Sequence, residues 1–350
     1  MKKPGSRATV NDIARQCHLS AMTVSRALRC QPGVKADTRE RVLAVAEELG
    51  YLRGSRLGRP ERPRLERPER IQLICGSTGR NLAVFHSRLL FALETLFTAA
   101  DCECLIRHSD GDYRIFTRML AAARRSGAEA TLLIGDFPEA QLDALQLAFP
   151  GALLLDNPGG SGVDATCGVI GFDNIAAARI GVGHLISGGR RRILLVSGER
   201  GHFFSAAIER GYREALAAAG IEFSPELVVN TDFSGSGAMH RVEEILERGI
   251  DFDAVFTNDE MAHGVYRALT VHGLAVPEKV AVCGCDALPG GELLTPPLST
   301  IELDVEALAE TAVSILFDGG ARGRPPRLKL PVRLIVRESS APSSGNYSAE

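Results

Sequence analysis

Short apolar runs alternate with helix-forming segments over most of the chain from Ile71 onward. Continuous Leu, Ile and Val runs that end at turn residues are typical of strands buried on both faces of a parallel sheet. The first set comprises IQLICG, CECLIRH, ATLLIG and ALLLDN, and the second comprises VIGFDN, RRILLVSG, ELVVNTDF, AVFTND and KVAVCGCD. Two sets of such units predict two doubly wound α/β lobes. Ligands of these folds bind outside the carboxyl ends of the strands, which predicts a cleft between the lobes.

The first 52 residues follow helical spacing instead. Apolar residues recur at this spacing in TVNDIARQC and in MTVSRALR, which predicts two short helices. Leu19 can fill the angle between them, and Ser20 can cap the second helix by accepting a backbone N–H. The segment TRERVLAVAEELGY predicts a third, amphipathic helix. Any three such helices can form a small bundle, but a tight turn before a helix with small, polar and basic residues on its free face suits the major groove of DNA.

Charge is distributed unevenly along the chain. Residues 1–70 carry 16 Lys+Arg and 8 Asp+Glu, a balance of +8, whereas residues 71–350 carry 24 and 35, a balance of −11. A basic segment gains affinity for DNA because its phosphate contacts release counterions. The charge therefore indicates that the N-terminal end contacts nucleic acid.

The N-terminal stretch resembles the headpiece of the LacI family of bacterial transcription regulators. The matching residues are Thr9, Asp12, Ile13, Ala14, Leu19, Ser20, Thr23, Val24, Ser25, Arg26, Leu28, Thr38, Arg39, Arg41, Val42, Ala46, Leu49, Gly50 and Tyr51. The resemblance implies an all-α helix-turn-helix headpiece at residues 1–52. The residues expected to hold DNA phosphates are Thr9, Thr23, Arg26 and Thr38, and those expected to face base edges are Ala21, Met22 and Ser25.

Residues 53–70, RGSRLGRPERPRLERPER, form the predicted linker, because a basic segment with three prolines and two glycines cannot pack a core. Members of the LacI family usually have a Pro-Asn pair here, followed by a hinge helix whose leucine enters the minor groove. In this chain Arg53 and Gly54 replace the pair, and Pro60 falls at the place of the leucine. A helix across these residues is energetically poor. We expect the linker to stay extended, or to fold only on DNA with Leu57 as the inserted side chain.

Residues 71–337 resemble the effector domain of the same family, which is similar to periplasmic sugar-binding proteins. The matching segments are GFDN from Gly171, GGRRRI from Gly188, ERGYREAL around Gly211, FTNDEMAHG around Asn258, CGCD ending at Asp286 and TPPLSTIELD from Thr295. The resemblance implies a small-molecule effector in the cleft and a homodimer on operator DNA. The polar residues 338–350 predict a disordered tail, which lacks the leucine heptads that form tetramers in some relatives.

Five residues near strand ends match positions that contact the effector in the family. The residues expected to hydrogen-bond hydroxyl groups are Asp156, Asn258 and Asp286, and those expected to lie against a sugar ring are Phe172 and Phe233. The phenylalanines could equally belong to the core. Helix N-capping is the alternative role for Asn258 and Asp259, and we expect it more at Asp259.

The family commonly places an arginine that grips the ligand three residues before the Gly-Tyr pair, and this chain has Ile208 there. Arg200 and His202, or Arg80, could supply the missing cation if the effector is a sugar acid. The segments MTVSRALR and GFDN also resemble the gluconate-responsive branch of the family. The sequence therefore predicts a sugar or sugar-acid effector.

Motifs of enzymes and metal sites are absent from the sequence. It has no GxGxxG or GxSxG turn, no GxxxxGK(S/T) loop and no HExxH helix, and its eight histidines lack metal-ligand spacing. We therefore expect no catalysis, cofactor or metal. None of the eight cysteines is in a CxxC pair, which favours free, packed thiols over a redox switch.

These patterns together predict a sequence-specific DNA-binding repressor that a sugar or sugar acid controls. No apolar run is long enough to span a membrane, and no signal peptide precedes the first helix, so we expect a cytoplasmic protein at the nucleoid. Two alternatives remain open. One is a sugar-binding protein without a DNA role, and the other is a DNA-binding regulator that has lost its response to an effector.

Overall fold

A computed structural model describes most of the chain. The residues that it describes are 10–20, 23–24, 27, 35, 38, 41–42, 44–45, 68–76, 84–109, 111–158, 167–317 and 326–341. The chain divides into two compact units, residues 1–66 and residues 67–350. None of the described helices is long and apolar enough to cross a membrane.

The described residues of the smaller unit include a core of six buried side chains. Helix α1 spans Val10–Cys17 and ends where His18 takes a φ of 52°. The core comprises Ile13, Ala14, Cys17, Val24, Ala27 and Val42, with Leu19 and Val45 packed against it. The guanidinium of Arg41 donates to the carbonyl of Cys17 at 3.0 Å, which satisfies one of the free carbonyl groups at the end of α1.

The larger unit alternates strands and helices. Its helices are α2 (Val84–Thr98), α3 (Tyr113–Arg124), α4 (Glu139–Ala148), α5 (Asn174–Ser187), α6 (Phe203–Ala218), α7 (Gly235–Glu247), α8 (Asp259–Val271) and α9 (Val305–Phe317). Its strands are β1 (Arg70–Gly76), β2 (Glu103–Ser109), β3 (Ala130–Gly135), β4 (Leu153–Leu155), β5 (Gly168–Phe172), β6 (Ile193–Ser197), β7 (Val228–Asn230), β8 (Ala254–Phe256), β9 (Ala281–Asp286), β10 (Ser299–Glu302), β11 (Arg327–Leu330) and β12 (Arg333–Ile335).

The strands form two six-stranded sheets, which confirms the prediction of two α/β lobes. The first lobe has the order β11-β5-β4-β3-β1-β2, and the second has β12-β10-β9-β8-β6-β7. All neighbours are parallel except β12, which runs antiparallel to β10. The chain passes between the lobes after β5, after β10 and between β11 and β12.

Strand β5 belongs to the first lobe, although its sequence VIGF was expected to begin the second. It pairs with β4, where Leu154 lies opposite Val169. A buried parallel strand is apolar in either sheet, so the pattern of its residues does not specify which sheet it joins. The change of lobe occurs after β5, through α5.

The core lies between the sheets and the helices that cover them. Helix α2 buries four side chains spaced four residues apart, namely Phe85, Leu89, Leu93 and Phe97. Phe97 also meets Phe317 of α9, with ring centroids 6.3 Å apart. Because α9 packs on α2, it belongs with the first lobe although it follows β10 of the second.

The start of the predicted disordered tail is in fact ordered. Ser339 is fully buried, its hydroxyl donates to the carbonyl of Val282 at 2.6 Å, and it accepts from the Ser299 N–H at 2.8 Å. Ser340 is also buried and bonds to the Ser299 hydroxyl at 2.7 Å. The prediction was wrong for residues 338–341, because these polar side chains satisfy backbone groups of β9 and β10. The rest of the predicted tail lies outside the described residues.

The cysteine thiols of the described residues are free and largely buried, so we expect them to resist modification in the native protein. Burial raises the pKa of Cys75 and of Cys104 to about 11, which leaves little reactive thiolate near neutral pH. In a Cys30→Ser variant, Ellman's reagent should label few thiols before unfolding and all of them afterwards. Rapid labelling of Cys104 in the folded protein would contradict this expectation.

Candidate functional site

Two of the predicted DNA-binding residues, Thr23 and Thr38, are described, and both are half-buried. The Ser20 hydroxyl accepts from the Thr23 N–H at 3.1 Å, which confirms the predicted cap. It also lies 2.8 Å from the Thr23 hydroxyl. The other predicted DNA-binding residues lie outside the described residues, and they are Thr9, Ala21, Met22, Ser25, Arg26 and Leu57.

The cap at Ser20 allows a direct test of the second helix. We expect Ser20→Ala to destabilise the smaller unit by about 1 kcal/mol, because the Thr23 N–H loses its acceptor. Operator affinity should fall with it, as measured by fluorescence anisotropy of labelled DNA. Ser20→Thr is the matched control, since it retains a capping hydroxyl. Equal affinities for all three proteins would show that the cap has no role in DNA binding.

All seven predicted effector contacts lie at the carboxyl edges of the two sheets. They are Asp156 after β4 and Phe172 at the end of β5, then Arg200 and His202 after β6, Phe233 after β7, Asn258 after β8 and Asp286 at the end of β9. Arg80, the other cation considered, lies outside the described residues.

Asp156 takes a φ of 53°, and its side chain is only 11% exposed. One of its carboxylate oxygens, Oδ2, lies 3.6 Å from Nε2 of His86 on α2. This imidazole nitrogen is buried and makes no hydrogen bond within the described part of the chain. His86 therefore offers a polar atom beside Asp156 that a ligand could use. The sequence did not indicate His86, because a histidine within an amphipathic helix gives no signal of its own.

His202 of the second lobe faces an acidic residue of the first lobe. It is the N-cap of α6, where its Nδ1 accepts from the Phe204 N–H at 3.2 Å, and this bond leaves the proton on Nε2. Nε2 lies 3.8 Å from Oδ2 of Asp136, which follows β3 in the first lobe. Burial lowers the pKa of His202, although the Asp136 carboxylate opposes that shift. A neutral His202 can therefore donate from Nε2 at the cleft.

The ring of His202 also helps to form an aromatic wall. It stacks on Phe203 with centroids 4.5 Å apart and meets Phe233 edge-on at 4.8 Å. Phe233 takes a φ of 63°, and its ring fills the space that a Cβ at Gly198 would occupy. By contrast, Phe172 is buried and packs edge-to-face on Phe85 in the core.

Two adjacent cavities lie at the strand ends. One has a volume of about 520 Å³ and is lined by Asp136, Asn157, Glu199, Arg200, His202 and Phe203. The other has a volume of about 420 Å³ and is lined by Asp156, Asn157, Phe172, Asp173, Phe203 and Lys329, among others. Both volumes are typical of small-molecule sites. Phe233, Asn258 and Asp286 line neither of these two cavities.

Asp286 ends β9 with a φ of 115°, and it is only 7% exposed. Burial raises the pKa of its carboxyl well above the usual range, and the negative charges of Asp259 and Asp156 raise it further. The guanidinium of Arg88 on α2 partly offsets this shift. Asp286 and Asp156 therefore interact electrostatically across the lobes.

The capping prediction for Asp259 was wrong, because Asn258 is the N-cap of α8. Asn258 has extended backbone angles, and its Oδ1 accepts from the Met261 N–H at 2.9 Å. Asp259 is the next residue, within the helix, and it is completely buried. Only the amide nitrogen of Asn258 is therefore left to donate to a ligand. Among the described residues, no group of three or more His, Cys, Asp or Glu side chains is placed to hold a metal ion.

A helix-turn-helix unit joined to a two-lobed domain with a ligand-sized cleft defines a class of ligand-responsive DNA-binding regulators. Residues 9–53 match the model for bacterial regulatory proteins of the lacI family, and residues 182–340 match that for a periplasmic binding protein-like domain. The chain belongs to the lacI family, whose members are transcription regulators and not enzymes.

Individual relatives agree with this assignment. The chain is 30% identical to the HTH-type transcriptional regulator CelR of Thermobifida fusca, over 95% of this chain and 98% of CelR. It is 27% identical to the ribose operon repressor of Escherichia coli strain K12, over 89% and 92% of the two chains.

Solved structures also match over nearly the whole chain. The transcriptional regulator CelR–cellobiose complex has a TM-score of 0.71 and 26% identity, and the match covers 95% of this chain and 100% of that one. The lac repressor dimer bound to operator and the anti-inducer ONPF has a TM-score of 0.69 at 23% identity, covering 96% and 99%. The second match supports the fold alone.

Proposed function

We propose that this chain is a homodimeric repressor that binds a near-palindromic operator and changes its affinity when a sugar-class effector enters the cleft. One observation carries the proposal. The carboxyl ends of both sheets bring hydrogen-bonding side chains of both lobes, Asp136, Asp156 and His202, to cavities of ligand size. His86 on α2 lies beside them, with its Nε2 3.6 Å from Asp156. An effector held by both lobes would alter how the lobes are arranged, and this would couple its binding to that of DNA.

The chemistry of the strand ends supports a polyhydroxyl ligand. The Asp156 and Asp286 carboxylates accept hydrogen bonds from hydroxyl groups, while His202 supplies a donor and an aromatic face. Relatives support the same class, since one is named a ribose operon repressor and a solved relative is a complex with cellobiose.

A sugar acid is the second candidate effector. Arg200 and His202 line the larger cavity, and a carboxylate ligand could pair with the Arg200 guanidinium. Asp136 and Glu199 line the same cavity and disfavour a second negative charge. A comparison of neutral and acidic sugars would therefore decide between the two.

The DNA contacts in this proposal are those implied by the resemblance of the N-terminal residues to the LacI headpiece. Thr9, Thr23, Arg26 and Thr38 hold phosphates, and the helix face of Ala21, Met22 and Ser25 meets base edges. Leu57 is the side chain proposed to enter the minor groove if the linker folds on DNA.

The proposal is tested by titrating the full-length protein into labelled DNA from upstream of its own gene, with and without D-ribose, cellobiose or D-gluconate. We expect specific binding, and a change of affinity of about ten-fold with at least one sugar. Specific binding that no sugar alters would favour a regulator without an effector response. Sugar binding without DNA binding would instead favour a sugar-binding protein.

A further inference from the structure

The turn that follows β9 has an unfavourable backbone. Asp286 and Ala287 both take positive φ angles, 115° and 50°, although neither is glycine. Residues that carry a Cβ rarely adopt this conformation, and two in succession persist only where the surrounding structure holds them. The structure therefore has to contain groups that fix this turn.

The carboxylate of Asp259 supplies these groups. Its Oδ2 accepts from the Leu288 N–H at 2.8 Å, and its Oδ1 accepts from the Thr300 hydroxyl at 2.6 Å. The oxygen of that hydroxyl lies 3.3 Å from the Ala287 nitrogen, as the acceptor of its N–H. Both carboxylate oxygens are thus committed to the turn, one directly and one through Thr300.

The surroundings of Asp259 exclude solvent and leave room for its carboxylate. Its side chain has no solvent exposure, and a Cβ at Gly284 would overlap its Oδ1, so the glycine leaves the space that the carboxylate needs. Burial raises the pKa of Asp259 to about 7, although the donors from Thr300 and Leu288 favour the charged form. Burial of a carboxyl group costs free energy, and the hydrogen bonds from Thr300 and Leu288 offset part of that cost.

The same turn touches the opposite lobe. Nη1 of Arg88 on α2 donates to the Ala287 carbonyl at 3.4 Å, and its Nη2 donates to Glu306 of α9 at 3.1 Å. The turn therefore connects a predicted effector contact, Asp286, with a contact between the lobes.

We propose that Asp259 is a positioning residue, which fixes the turn of residues 286–288 so that Asp286 serves the effector cleft and Ala287 meets Arg88. The effector role of Asp286 rests on the proposed function, whereas the fixing of the turn does not. Asp259 acts through the turn and does not touch the effector itself.

Three variants test the proposal. Asp259→Asn keeps the shape but replaces one acceptor oxygen by a donor, and Thr300→Val removes the bridging hydroxyl. Thr300→Ser restores that hydroxyl, so it is expected to rescue the turn. Asp253→Asn is the matched control, because the Asp253 carboxylate also accepts from two backbone N–H groups, those of Arg191 and Arg192, at the other end of β8.

The first measurement is hydrogen–deuterium exchange in peptides that contain residue 288, which requires no ligand. We expect Asp259→Asn and Thr300→Val to accelerate exchange there about ten-fold or more, with Thr300→Ser and Asp253→Asn close to wild type. If Asp259→Asn unfolds the lobe as a whole, the comparison of Thr300→Val with Thr300→Ser tests whether the bridging hydroxyl fixes the turn. Unchanged exchange in Thr300→Val would overturn the proposal.

The second measurement is isothermal titration with whichever of cellobiose, D-ribose or D-gluconate binds the wild-type protein. Asp259→Asn and Thr300→Val should weaken that binding about ten-fold, and Thr300→Ser should restore it. Wild-type sugar affinity in Thr300→Val would overturn the link to Asp286. If no sugar binds the wild type, the proposed function fails, while the exchange result still decides the role of Asp259 in the turn.

Discussion

Replacing Ile13 by alanine is expected to abolish operator binding and to leave the larger unit folded. Ile13 is fully buried in the small core of the first unit. Truncation of a buried isoleucine to alanine costs about 2–5 kcal/mol, which is comparable to the whole stability of a small domain. The helices that carry the DNA-binding residues would then no longer hold their arrangement.

Fluorescence anisotropy with operator DNA should show at least a hundred-fold loss of affinity. This loss corresponds to about 3 kcal/mol of binding free energy. The thermal transition of the larger unit should stay unchanged. Ile180→Ala is the control, because Ile180 on α5 is partly exposed and lies outside this core. Operator affinity within a factor of about two of wild type in Ile13→Ala would contradict the assignment of DNA binding to the smaller unit.

Replacing Asp286 by asparagine is expected to remove the response to sugar while preserving operator binding. Asp286 is almost completely buried at the carboxyl end of β9, where its carboxylate can accept two hydroxyl hydrogen bonds. Loss of a hydrogen-bond partner at a buried site costs about 1–3 kcal/mol, so sugar affinity should fall by roughly ten-fold to a hundred-fold. Asparagine keeps the size of the side chain but can accept with one oxygen only.

Isothermal titration of the sugar and anisotropy of operator DNA measure the two properties separately. Asp251→Asn is the control, since Asp251 is an exposed carboxylate before β8, at the opposite edge of the same sheet. Undiminished sugar binding in Asp286→Asn would remove Asp286 from the effector site. Loss of operator binding as well would indicate that the substitution disturbs the whole protein.

The sequence predicted the architecture because both units depend on simple patterns. Buried parallel strands require uninterrupted apolar runs, and each of the nine runs contributes to one of the two sheets. The runs did not indicate which sheet each strand joins. The chain changes lobe after β5, for example, and this change depends on how α5 packs. The buried Ser339 was missed for a related reason, since a polar residue that satisfies strand backbone has the composition of a disordered tail.

The candidate site was only partly predictable. The resemblance to the family's effector domain indicated Asp156 and Asp286, and both lie at strand ends in the structure, where ligands of such folds bind. His86 and Arg88 were missed, because they lie on a helix and reach the site only through tertiary packing. The roles of Asn258 and Asp259 were exchanged, since capping depends on which residue is extended and not on residue type alone.

Control of operator binding at the N-terminal unit by a sugar in the cleft is the behaviour that we expect of this protein. Anisotropy of labelled operator DNA, titrated with wild-type protein and Asp286→Asn in the presence and absence of each sugar, tests it most directly. We expect one sugar to shift wild-type operator affinity about ten-fold and this shift to disappear in the variant. Identical operator affinities for both proteins under every condition would contradict it.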